Sequence, residues 1–293
     1  MKKLMFAAAV VAAGVALADV EGSGIVGYYS KTQTAMTGTK VTPTGIMSFQ
    51  WEDVQGKTRK LNGTILCPEN LAQYSYDESG TVFQEGWELN APKIQVRKSD
   101  GGYATCYWCA DAWNNTESVP MLGWADEFGN YQDIDITLGQ GAWVSSPIAD
   151  CTFQIAGAVA GQELDIGGDS SKATLLAGGG FPVAFKINDK DAVTWTVIGA
   201  YSYDEETGTE FQEGWHLNAS KIQVRRLDGG YYTCYWCLDA WNENAGEAGE
   251  VMEGWADDSG NYQDVTVDVG GGFWMNTPVG DKKIFVKVKN PVK

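Results

Sequence analysis

The chain has 293 residues, with 38 acidic side chains against 21 basic ones and a single histidine. A formal charge of −17 repels nucleic-acid phosphates and anionic lipid headgroups, which sets nucleic acid aside as a partner. Thirty-six glycines, eight prolines, twelve Trp and thirteen Tyr favour strands and tight turns over long helices.

At the N-terminus, Met1-Lys2-Lys3 is a basic n-region. A short apolar run follows, and Ala16-Leu17-Ala18 is a small-x-small cleavage site. Residues 1–18 therefore read as a secretory signal peptide of bacterial type. The run is too short and wrongly flanked for a membrane span. No Cys follows the cleavage site, which argues against a lipoprotein anchor. The expectation is a mature chain beginning near Asp19 that is secreted, periplasmic or on the outer surface and is not an integral membrane protein. Removing Lys2 and Lys3 and no acid leaves 19 − 38 = −19, a charge that keeps such a product soluble.

The dominant feature is an internal repeat. Phe83–Trp113 matches Phe211–Trp241 at 25 of 31 positions, and Gly123–Pro147 matches Gly254–Pro278 at 13 of 25. The offset grows from 128 to 131 through an acidic, Gly-rich insertion at Asn242–Glu250, as expected of an exposed loop. The earlier part of each unit matches weakly. The period is domain-sized, predicting two copies of one domain rather than a solenoid: residues 19–149 and 150–293. The junction near Ser146–Asp150 is short and has no flexible-linker composition, so the units are expected to pack closely.

Within each unit, KIQVR, an Asp-Gly-Gly turn and Tyr-x-Thr-Cys-Tyr-Trp form a hairpin signal. Turning at Asp100-Gly101 places Val96 opposite Thr105 and Ile94 opposite Tyr107; Asp228-Gly229 repeats this for Val224 and Ile222. A second hairpin is expected to turn at Phe128-Gly129-Asn130. Beyond it Ile134, Ile136 and Leu138 alternate with polar residues, as Val265, Val267 and Val269 do in the second unit, the signature of a one-sided antiparallel sheet. Pro68–Gln73 is the one short helical turn suggested. The fold class is all-β: two tandem homologous antiparallel β-sandwich or barrel-like domains.

Cys106-Tyr107-Trp108-Cys109 recurs letter for letter at Cys234-Tyr235-Trp236-Cys237. Redox Cys-x-x-Cys chemistry needs a helix N-terminus to lower a thiol pKa, and haem attachment needs a following His where Ala110 and Leu238 stand. A zinc site would need four ligands, which only the two motifs together could supply. In a strand, residues three apart face opposite sides, so an intra-motif disulfide would need distorted geometry or a β-bulge. In the register above, Cys109 and Cys237 share the Ile/Val face, and Cys106, Cys234, Trp108 and Trp236 lie off it. The six cysteines, Cys67, Cys106, Cys109, Cys151, Cys234 and Cys237, read as structural, either buried or in disulfides of an oxidising compartment. Cys67 and Cys151 have no repeat counterpart.

His216 stands where the first unit has Glu88, so the shared module does not depend on an imidazole. Asp126, Glu127, Asn130 and Asp133, with Asp257, Asp258, Asn261 and Asp264, offer oxygen-rich turns that calcium could use, although a hairpin turn selects the same residues. The Gly runs at Gly139–Gly141 and Gly270–Gly272 follow strands and read as bends. No nucleophile-elbow, phosphate-loop or zinc-protease motif is present, so no catalytic residue, cofactor or metal ligand is assigned. Ten of the twelve Trp fall at paired positions. Trp108 and Trp236 are the candidates for stacking on a ligand; core or interface packing is the expectation for most of the others.

The Gly-x-Gly-x-Trp strand at Gly139-Gln140-Gly141-Ala142-Trp143, following a secretion signal, resembles secreted tandem β-repeat proteins of Gram-negative-type bacteria. That resemblance implies a compartment and a fold class and no activity. The functional expectation is a secreted or cell-surface structural or adhesion protein without catalytic activity. The alternative is a carbohydrate-binding protein using its paired Trp. Glycans or other surface proteins are the partners to expect, with self-association open. The terminal KIFVKVK strand could pair within unit two or with another chain.

Overall fold

The computed structural model describes residues 26–33, 42–45, 58–63, 87–98, 101–137, 139–146, 150–158, 163–171, 174–197, 201–202, 214–226, 230–246, 249–278 and 283–289. The signal-peptide reading, the Pro68–Gln73 turn and Cys67 lie outside them.

The described chain is a set of open antiparallel sheets in a sandwich-like arrangement. In the first half the strands are β1 (Val26–Gln33), β2 (Thr42–Gly45), β3 (Thr58–Lys60), β4 (Lys93–Arg97), β5 (Tyr103–Asn114), β6 (Val119–Ala125), β7 (Asp135–Thr137) and β8 (Gly141–Ser145). The second half has β9 (Cys151–Ala158), β10 (Leu164–Asp169), β11 (Leu175–Gly178), β12 (Phe185–Lys186), β13 (Val193–Thr196), β14 (Lys221–Arg225), β15 (Tyr231–Asn242), β16 (Glu250–Ala256), β17 (Thr266–Val267), β18 (Gly272–Asn276) and β19 (Lys283–Val288). Two five-stranded sheets carry the duplicated segments, in the orders β2-β8-β4-β5-β6 and β11-β18-β14-β15-β16. The small sheets β3-β7 and β12-β17 also correspond. Single 3-10 turns occur at Leu61–Gly63, Trp87–Leu89 and Trp215–Leu217. No described helix is long and apolar enough to cross a membrane.

The β4–β5 hairpin forms, but one residue out of the expected register. Lys98 N–H donates to Gly102 O at 2.7 Å and Gly101 N–H to Lys98 O at 3.0 Å, with Gly101 at φ 92°. The wider turn closes Arg97 against Tyr103, so Val96 faces Ala104 and Ile94 faces Cys106; β14–β15 repeats this with Ile222 opposite Cys234. A one-residue slip moves side chains to the opposite face. The face assignment is therefore corrected: Cys106, Trp108, Cys234 and Trp236 share the Ile/Val face, and Cys109 and Cys237 face away.

The second hairpin is also shorter than expected. Tyr131 bridges Ala125, but β7 then pairs with β3 rather than β6. An asparagine holds each departure point. Asn62 accepts the Trp124 N–H at 2.7 Å and donates to Gln132 O at 2.8 Å. Asn188 accepts the Trp255 N–H at 2.8 Å and donates to Trp255 O at 3.1 Å and Gln263 O at 2.9 Å. These side-chain amides bond backbone groups that a continuing ladder would have paired. They also explain Gly123 and Gly254, where an added Cβ would lie 2.7 and 2.8 Å from the Asn oxygens. Ile136, Val265 and Val267 are buried as expected, whereas Val269 is 37% exposed; Leu138 lies outside the described residues.

The two halves share one core. A single apolar cluster runs from Leu61, Ile94, Trp108 and Trp124 through Ile166 and Phe181 to Trp255, Phe273 and Val286. β1 pairs with β9, Gly178 N–H donates to Gly139 O at 2.8 Å, and the Trp143 and Trp274 rings meet at 5.1 Å between centroids. Gly139 sits at φ +74°, and a Cβ there would lie 2.5 Å from Ile166 Cγ1, so the bend and the close approach both require glycine. β19 is the central strand of β10-β19-β13, with both edges paired inside this chain.

Candidate functional site

The CYWC motifs are mid-strand in β5 and β15, with their two cysteines on opposite sides of the sheet. Cys106 and Cys234 lie in the shared core. Cys109 packs with Trp87, Ala91, Ala112 and Ala125 beneath a 3-10 turn, and Cys237 packs likewise with Trp215, Ala219, Ala240 and Ala256. A bulge is present, but after the motif: pairing jumps from Cys109–Gly123 to Ala112–Met121, and from Cys237–Gly254 to Ala240–Met252. It leaves the opposed cysteines apart and returns Ala112 and Ala240 to the face of Cys109 and Cys237. All four motif cysteines are buried and free of disulfides, so the disulfide alternative does not hold for them. Cys151 is the first residue of β9.

Their surroundings suppress thiol chemistry. Burial, with a smaller contribution from the Asp126 carboxylate, pushes the Cys106 thiol up to about 12. Burial and Asp257 do the same to Cys234, also to about 12. Such thiols stay protonated at neutral pH and are poor nucleophiles and metal ligands. Cys109 and Cys237 donate to Asp111 and Asp239 at 3.1 and 3.0 Å.

The acidic turns hold themselves together. Asp126 Oδ1 accepts the N–H groups of Phe128 and Asn130, both at 2.9 Å, and Oδ2 accepts from Gln132 at 2.9 Å. Asp257 repeats the pattern with Ser259, Asn261 and Gln263. Among the described residues, no group of three or more His, Cys, Asp and Glu is placed to hold a metal ion. His216 is half-buried against Trp215 and Tyr235.

The two tryptophans singled out for stacking part company. Trp108 is 6% exposed and packs edge-to-face on Trp124, centroids 5.1 Å apart. Trp236 makes the same contact with Trp255 at 5.3 Å but keeps part of its surface open. It lines a cleft of about 300 Å³ with Trp195, Glu253, Lys190 and Thr194. Trp195, on edge strand β13, also packs on Trp255, at 4.9 Å, and its indole N–H donates to Ile187 O at 2.6 Å. Trp236 N–H reaches Glu253 Oε1 at 3.3 Å. Among the other paired Trp, Trp87, Trp124, Trp215 and Trp255 are buried, and Trp113 and Trp241 are each 45% exposed.

Sequence reasoning passed over Trp195 and Glu253. Two signals were available: Trp195 is one of the two Trp without a repeat partner, and Glu253 replaces Leu122 beside the otherwise shared Gly-Trp-Ala-Asp. A larger cleft of about 760 Å³ runs between the halves, lined by Arg97, Gln140, Ile166 and Leu176 among others. Gln140 braces its first-half wall, accepting from Thr137 N–H and donating to Arg97 O.

Comparison with protein-family models, with curated proteins and with solved structures finds no match to this chain.

Proposed function

We propose that this chain is an extracytoplasmic structural or adhesion component without catalytic activity, built from two copies of a β-domain and working through its surface. The observation that carries this reading is where the duplicated, chemistry-capable residues lie. The CYWC sulfurs are buried on opposite faces, the turn aspartates accept hydrogen bonds from their own turns, and five of the ten paired Trp are buried. Duplication has thus copied a folding unit rather than a reaction centre. The N-terminal signal supports export, and the charge of 19 − 38 = −19 left after its removal supports a soluble surface that other surface proteins or glycans could meet. The test is the exported protein, purified in its processed form, incubated with panels of glycan and peptide substrates. No turnover is expected; turnover abolished by a single carboxylate substitution would overturn the reading.

A further inference from the structure

The geometry points to a saccharide site in the second repeat, in the cleft between Trp195 and Trp236, a binding function additional to the scaffold role and independent of it. Trp195 and Trp236 both stand edge-to-face on Trp255, at interplanar angles of 79° and 82°. Trp255 is fully buried, so both outer rings are held in place before any ligand arrives. Preorganised aromatic walls of this kind suit the apolar C–H faces of a pyranose and keep the entropic cost of binding low.

The polar groups lie at the rim. Glu253 is exposed, with one carboxylate oxygen on the Trp236 N–H, which leaves Oε2 to accept sugar hydroxyls. Thr194 and Lys190 line the same cleft and are exposed; the hydroxyl can donate or accept and the ammonium can donate. Aromatic walls with a few convergent polar groups, in about 300 Å³, match the lower end of small-ligand sites. That size suits the end of a glycan rather than a long chain. The mixture of acceptor and donor also favours a neutral sugar over a quaternary ammonium, since Lys190 would repel a cation.

The first repeat acts as an internal control. There Trp108 is 6% exposed, and Leu122 stands in place of Glu253 and is 49% exposed, so that position offers the indole no carboxylate. Duplication was followed by divergence at the residues this site needs.

The experiment is heteronuclear NMR of the purified protein, following the indole N–H signals of Trp195 and Trp236 during titration with maltose, cellobiose and N,N′-diacetylchitobiose, and separately with choline. At least one disaccharide is expected to shift both signals, with saturation by about 10 mM, and to leave the Trp113 signal unmoved. Glu253→Leu, which copies the exposed Leu122 of the first repeat, is expected to weaken binding at least tenfold with an unchanged unfolding midpoint. Trp113→Ala is expected to leave binding intact. No sugar-dependent shift, a larger response to choline than to any sugar, or full sugar affinity in Glu253→Leu would each overturn the proposal.

Discussion

Asn188→Ala probes the joint from which each sheet departs. The substitution deletes three hydrogen bonds, at 2.8, 3.1 and 2.9 Å, to backbone groups of Trp255 and Gln263. At a net 0.5–1.5 kcal/mol each, with partly buried peptide groups left unpaired, the expected loss is about 3–4 kcal/mol. For a chain of this size that lowers the melting temperature by about 6–12 °C. Gly254→Ala strains the same joint from the other side, because its Cβ would lie 2.8 Å from both Asn188 Oδ1 and Tyr262 Cε2; about 1–3 kcal/mol is expected. The two are coupled through one atom. In Asn188→Ala the oxygen that the added methyl group at position 254 would strike is gone, so the double variant should lose less than the sum by about 1 kcal/mol, the Tyr262 contact remaining. Urea unfolding followed by tryptophan fluorescence measures all four corners of the cycle. Additivity within about 0.5 kcal/mol would refute the reasoning, as would an Asn188→Ala loss below about 1 kcal/mol.

Alkaline pH should destabilise the protein through the core thiols. Cys106 and Cys234 are raised from an ordinary 9.0 to about 12, so the folded state keeps protons that the unfolded chain loses. Their contribution is fully present below pH 9 and is lost as pH rises towards 12, by up to about 1.4 kcal/mol per pH unit per thiol. Burial also raises Tyr107, Tyr131, Tyr235 and Tyr262, which adds to the wild-type decline in the same direction. Comparing stability at pH 8 and pH 10.5 for wild type and the Cys106→Ala, Cys234→Ala double variant isolates the thiols: the variant should decline less, and equal declines would contradict the assignment. Trp143→Ala removes one of the contacts between the halves, the 5.1 Å ring pair with Trp274, worth about 0.5–1.5 kcal/mol beyond its area. Because the halves also share one core and the β1–β9 pairing, calorimetry is expected to show a single transition at lower temperature, and a split transition would contradict the shared core.

The all-β class and the duplicated hairpins were legible because period-two alternation and Asp-Gly turns are local signals. The face assignment was not. It hung on whether the connection began at Lys98 or Ser99, and a one-residue change in turn length reversed it. The opposed cysteines survived that error because parity within a strand does not depend on register. The bulge after Cys109 was invisible, since nothing in Ala110-Asp111 distinguishes two residues facing one. The correspondence of Asn62 with Asn188 was hidden by weak similarity in the early part of each repeat, although Lys-Leu-Asn against Lys-Ile-Asn was present. Trp108 and Trp236 share the same motif but not the same neighbours: Trp195 and Glu253, which line the cleft with Trp236, come from elsewhere in the second repeat, which no comparison of the motifs alone could reveal.

The most direct test of CYWC as a sheet element is peptide-resolved alkylation without reductant, before and after denaturation. Cys106, Cys109, Cys234 and Cys237 should stay unlabelled in the folded protein and become fully labelled once it is unfolded. Any of the four that remains unlabelled after unfolding, and becomes reactive only when a reductant is added, would place it in a disulfide and contradict the account.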